Sequence, residues 1–130
     1  MRYLTAEELK RDCRDDAHEI LERCTGKSIR DRFAIDVFNR YHDKYFKDRQ
    51  TTKILDLGVA SGTFFHEIAK DGYHQLWACD LDDYVRTDVK KILRDFRTVN
   101  LSMERLPWPD ASFDVVTAWC VLPHLENPFH

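Results

Sequence analysis

The chain has 130 residues, 43% hydrophobic and 33% charged, with a net charge of −3. That is enough for one domain with its own core, and it gives a nucleic-acid partner no support from bulk charge. No run approaches the roughly 18–20 apolar residues of a membrane span, and the first eight residues lack a signal-peptide apolar region. Cys13, Cys24, Cys79 and Cys120 are too scattered for a zinc site or a disulfide scaffold. A reduced, cytoplasmic protein without a metal is expected.

Thr5-Ala6-Glu7-Glu8 is a capping box, with a hydroxyl at the N-cap and a carboxylate three residues on. A helix is predicted from there to about Arg23, with Leu9, Cys13, Ala17, Ile20, Leu21 and Cys24 on one face and Gly26 ending it. Ser28 is placed to cap a second helix whose apolar side carries Ile29, Phe33, Ile35, Val37, Phe38, Tyr41 and Tyr45. Residues 1–50 read as a helical lead-in, because these apolar faces need something to pack on.

From Lys53 the pattern changes to alternating strands and helices. Ile54–Leu57 is the first predicted strand, and Phe64–Lys70 a helix closed by Asp71-Gly72. A second strand, Gln75–Cys79, ends on Asp80. Asp83 is expected to cap a helix reaching about Phe96, with Val85, Val89, Ile92, Leu93 and Phe96 inward. Short third (97–101) and long fourth (113–120) strands flank a proline-punctuated loop at 106–112, where Trp108 is read as a core plug. Near-continuous apolar strands separated by helices imply an α/β fold, a Rossmann-like parallel sheet with helices on both faces over residues 51–130.

In such a sheet, ligands bind beyond the carboxyl ends of the strands. The first of these ends, Asp56-Leu57-Gly58-Val59-Ala60-Ser61-Gly62, joins an acid to a turn of small residues, which let a ligand approach backbone. Asp80 ends the second strand, 18 residues after Gly62, where an acid can accept both ribose hydroxyls. A nicotinamide dinucleotide is one reading. Against it, a pyrophosphate fingerprint runs Gly-x-Gly-x-x-Gly, whereas Gly62 follows Ala60 by only two residues. An anionic pyrophosphate would also gain nothing from Asp56, which suits a cationic head group.

The segment 56–62 resembles the first motif of class I S-adenosylmethionine-dependent methyltransferases, Asp/Glu-x-Gly-x-Gly-x-Gly. Met103–Val116, with Glu104, Leu106-Pro107 and Ser112-Phe113-Asp114, resembles a further segment of that family. His124-Leu125-Glu126-Asn127-Pro128 resembles the stretch after the fourth strand in the small-molecule branch called methyltransferase type 11. The resemblance covers about residues 52–128. It implies a sheet order of 3-2-1-4 and S-adenosylmethionine as cofactor, leaving S-adenosylhomocysteine, with methyl transfer to a small-molecule acceptor.

By position it also implies roles. Gly58, Ala60, Ser61 and Gly62 would line the methionine and ribose portion, and Asp56 would orient the methionine amino group. Asp80 would take the ribose hydroxyls with Leu81 against the adenine, Ser102 and Met103 would flank the adenine edge, and Trp119 would face the methionine. His124 is the candidate general base. Tyr41 and Tyr45 would either close over the cofactor or pack on the sheet. Two residues depart from the pattern. Ala60 stands for the middle glycine, and Ser102 for the aspartate that accepts from the adenine amine, a loss of roughly 1 kcal/mol.

Family members continue for several strands past the His-Leu-x-Asn-Pro segment, so a C-terminally truncated domain is expected here. Strand 113–120 would then present an open edge, to be covered by a second copy, another chain or the N-terminal helices. A non-catalytic remnant serving as an interaction or oligomerisation module is the alternative from a different functional class.

Overall fold

The computed structural model describes residues 29–45 and 48–128. The helix expected over 5–23 and the Ser28 cap lie outside the described residues. In chain order come α1 (Ile29–Tyr45), β1 (Lys53–Leu57), α2 (Thr63–Lys70), β2 (Gln75–Asp80), α3 (Thr87–Lys90), β3 (Asp95–Thr98) and β4 (Val115–Thr117), with a 3₁₀ turn at Leu122–His124 after them. The strands form one sheet in the order β3-β2-β1-β4 with every pairing parallel, the 3-2-1-4 arrangement expected.

The central strands show why. Ile54, Leu55 and Asp56 of β1 are buried in succession, and in β2 Leu76, Ala78 and Cys79 are buried with Trp77 half-buried among them. A strand covered on both faces cannot alternate apolar and polar residues. Helix α2 turns Phe64, Phe65 and Ile68 onto the sheet. Phe38 of α1 packs edge-on against Phe64 at 5.3 Å and Tyr73 at 5.2 Å between centroids. This cluster joins α1 to the α/β core. No helix among the described residues is long and apolar enough to cross a membrane.

Three boundaries differ from the sequence expectation. The helix predicted from Asp83 to Phe96 shrinks to the single turn of α3. Asp83 does not cap it: its carboxylate accepts the Val85 N–H at 3.4 Å and pairs with Lys90, and the N-cap is Arg86. By Arg94 the chain has joined the sheet, its N–H donating to the Leu76 carbonyl at 2.8 Å. Phe96, the last residue of the supposed helical face, instead sits opposite Ala78 in β3. Apolar residues three and four apart suit a helix, but a strand edge with free carbonyls competes for the same backbone, and here it wins. The third strand accordingly starts two residues early, at Asp95 rather than 97.

The fourth strand is three residues rather than eight. Its entry is held outside the regular ladder by Asp114. The Asp114 carboxylate accepts the Lys53 N–H at 2.8 Å and the Asp114 N–H donates to the Lys53 carbonyl at 2.9 Å. Phe113 turns aside to pack on Trp77 and Trp108. Trp108 is half-buried, and its indole N–H also reaches Asp95 at 3.3 Å. Beyond the strand, Cys120 adopts a φ of 58°, which ends extended pairing.

Truncating Phe38 to alanine should cost about 3 kcal/mol or more, because the ring fills the junction between α1, α2 and Tyr73. Urea denaturation monitored by circular dichroism would measure it. A loss below about 1 kcal/mol would mean that α1 is not part of the cooperative unit.

Candidate functional site

The turn between β1 and α2 is held down by the end of β2. The N–H groups of Gly58 and Val59 both donate to the Cys79 carbonyl, at 2.8 and 3.2 Å. The next N–H, that of Ala60, donates to the Asp80 carboxylate at 2.7 Å. Gly62 closes the turn by donating to the Val59 carbonyl at 3.0 Å. The turn therefore uses the amides of residues 58, 59, 60 and 62 inside the protein. A cradle for an anionic diphosphate would keep such groups for the ligand.

This winding requires positive φ at Gly58 (70°), Ala60 (51°) and Gly62 (84°). Space is also short. A Cβ at Gly58 would collide with the Val121 side chain, and one at Gly62 would lie 2.6 Å from a Val89 methyl. Two glycines are thus needed for conformation and for room. Ala60 keeps its methyl at a backbone position that costs an L-residue roughly 1–2 kcal/mol.

Asp80 is the hinge of the arrangement. One carboxylate oxygen accepts from Ala60 and the other from the Leu81 N–H at 2.7 Å. Each oxygen keeps a further lone pair for a hydroxyl, and the residue is only half-buried. Leu81 beside it is exposed, as is Met103 in the loop after β3. Ser102 is turned toward the chain: its Oγ accepts the Glu126 N–H at 2.9 Å. It thereby ties the loop after β3 to the segment after β4.

Asp56 lies deeper, 2% exposed. The Thr117 hydroxyl donates to its carboxylate at 2.7 Å across the β1–β4 pair. A carboxyl group this deep needs such a partner. Thr117 carries no motif and is recognisable only once β4 lies beside β1. Ser61 sits at the lip, its hydroxyl 3.1 Å from that of Thr63.

Trp119 stacks edge-on against Phe64 at 5.4 Å, with its indole N–H buried and lacking a protein partner. His124 is exposed at the end of the 3₁₀ turn. Tyr41 and Tyr45 are exposed too, and so do not pack on the sheet. A groove of about 680 Å³ lies alongside, lined by Asp83, Phe96, Arg97, Thr98, Val99, Glu104, Arg105 and Pro107. None of the residues expected to hold a cofactor lines it.

Cys79 marks how dry the junction is. Burial pushes its thiol up to about 12 from an ordinary 9.0, an effect the Gly58 backbone hydrogen bond opposes and the charges of Asp80 and Asp56 reinforce. The folded state therefore holds a proton that the unfolded state releases above pH 9. The stability this gives is full below about pH 9 and lost as the pH rises toward 12.

Two outcomes are expected from this geometry. Iodoacetamide at pH 8 should modify exposed Cys120 and spare Cys79 in the folded protein, as read by peptide mass mapping. Ala60→Gly should leave stability unchanged or raise it by up to about 1 kcal/mol, because relief of the left-handed conformation outweighs the added freedom of the unfolded chain. A loss of 1 kcal/mol in urea titration would contradict that account.

The family model described as a methyltransferase domain matches residues 55–130. No curated protein matches the chain.

Proposed function

The chain belongs to the methyltransferase domain family, and from that premise we propose that it binds S-adenosylmethionine and passes a methyl group to a small-molecule acceptor. The observation that carries the reading is the Ala60–Asp80 hydrogen bond. It sets the half-buried carboxylate at the end of β2 against the small-residue turn, so an acid for two vicinal hydroxyls and a close-approach surface adjoin.

The residues fit such a ligand in kind. Asp80 accepts the ribose hydroxyls through the lone pairs that Ala60 and Leu81 leave. Leu81 and Met103 offer apolar surface to a purine. Asp56, kept in place by Thr117, is the anion suited to an ammonium group. With four turn amides already satisfied, the turn suits an uncharged ribose and a cationic amino acid better than a diphosphate.

When bound, the cofactor supplies an electrophilic methyl carbon on a sulfonium, and the acceptor's lone pair displaces the neutral thioether in line. What this chain contributes is position, which is the larger part of such a displacement. A base is needed only where the acceptor carries a proton that must leave. His124 lies just past β4 and is exposed to an incoming acceptor. The small net charge of −3 favours a small acceptor over a nucleic acid.

Isothermal titration with S-adenosylhomocysteine should give saturable heat in the micromolar range, and Asp80→Ala should weaken it at least about tenfold, the worth of one charged hydrogen bond. Thermal melts on both proteins would check that the variant folds. Absence of heat at hundreds of micromolar ligand with a folded sample would refute the reading.

A further inference from the structure

After β4 the chain turns back across the carboxyl end of the sheet. It leaves the strand through Cys120, at a φ of 58°, and winds into the 3₁₀ turn at Leu122–His124. Two contacts fix where it goes. The Val121 side chain lies on Gly58, just past the end of β1. The Glu126 N–H donates at 2.9 Å to the hydroxyl of Ser102, in the loop after β3. In the order β3-β2-β1-β4 these two anchors stand on opposite sides of β2. The second is tied to the end of β2 itself, because the Val99 N–H donates to the Asp80 carbonyl at 2.8 Å. Residues 121–126 therefore span the carboxyl end of β2, where Asp80 meets Ala60.

We propose that residues 121–126 are a strap that gates this cleft, with the Ser102–Glu126 hydrogen bond as its latch. The gate rests on the cofactor reading, since it controls the same cleft. Burial along the segment divides it into two sides. Val121 and Leu125, four apart, are half-buried, whereas Leu122, Pro123, His124 and Glu126 are exposed. The inner side is thus two aliphatic residues, and the latch is a hydroxyl accepting one exposed backbone amide. A segment held this lightly opens at far less cost than the core strands. Movements of this kind set how fast a ligand enters and leaves a site. His124 rides on the strap, so opening displaces the candidate base as well.

Two variants of the full chain move the latch in opposite directions. Glu126→Pro removes the donor N–H without altering a cleft residue. Leu125 already has the extended backbone that a following proline requires, with φ −83° and ψ 136°. Stopped-flow tryptophan fluorescence with S-adenosylhomocysteine should show association and dissociation both about fivefold faster, the worth of one hydrogen bond, and affinity changed by less than about twofold. Ser102→Cys with Glu126→Cys, in a chain carrying Cys13→Ser, Cys24→Ser and Cys120→Ser, should do the reverse. Residues joined by that hydrogen bond lie within the roughly 7 Å a disulfide spans. The oxidised form should exchange ligand at least about tenfold more slowly than the same variant reduced, and dithiothreitol should restore the rate.

Failure of the bridge to form, or unchanged rates in both variants at normal affinity, would overturn the gate and leave the cofactor reading standing. Faster association alone, with tighter binding, would overturn it in favour of a strap that competes with the ligand. No binding to the unaltered chain would sink the cofactor reading and the gate with it.

Discussion

The end of β2 holds the rest of the site in place. The Cys79 carbonyl takes two amides of the β1–α2 turn and the Asp80 carboxylate takes a third. Those bonds decide the path of the turn, and the path decides where α2 starts. They also force positive φ at three positions, two of which are glycine because Val121 and Val89 leave no room for a Cβ. The register of β1 against β2, with Leu57 opposite Cys79, brings the two strand ends level so that this can happen.

Charge is arranged around the same point. Asp56 and Asp80 both end strands, yet their surroundings differ. Asp56 is buried and held by Thr117, whereas Asp80 is half-buried and held by backbone. One acid is therefore closed in by its surroundings and the other remains open to solvent. Cys79 between them stays protonated because the site is dry and already negative.

The periphery is less regular than the centre. Among the described residues β4 pairs only with β1, and its Val116 faces solvent. Ser102 fastens the segment after β4 to the loop after β3, so the two loops are connected by one hydroxyl. In consequence the serine's oxygen is already engaged by backbone. Trp119, expected at the methionine side, contributes its ring to the core through Phe64 while its indole N–H is left over. Buried donors of this kind usually find a partner.

Much of this was legible from residue order alone. Near-continuous apolar residues in 54–57 and 75–79 specify central parallel strands, since nothing else accommodates them between helices. The small-residue turn after β1 and Asp80 at the end of β2 meet, as neighbouring parallel strands require of their carboxyl ends. What sequence could not decide were choices made by partners distant in the chain. Phe96 reads as helix by its spacing and becomes strand because β2 offers unpaired carbonyls. The strand expected over 113–120 runs only from Val115 to Thr117, with Asp114 bonded to Lys53 ahead of it and Cys120 at a positive φ beyond it. Tyr41 and Tyr45 face away from the sheet because Phe38 and His42 take the inner face of α1. Thr117 acquires its role only when β4 docks on β1. Periodicity records what a segment can do by itself, and tertiary contact determines which of its backbone groups and faces are claimed by others.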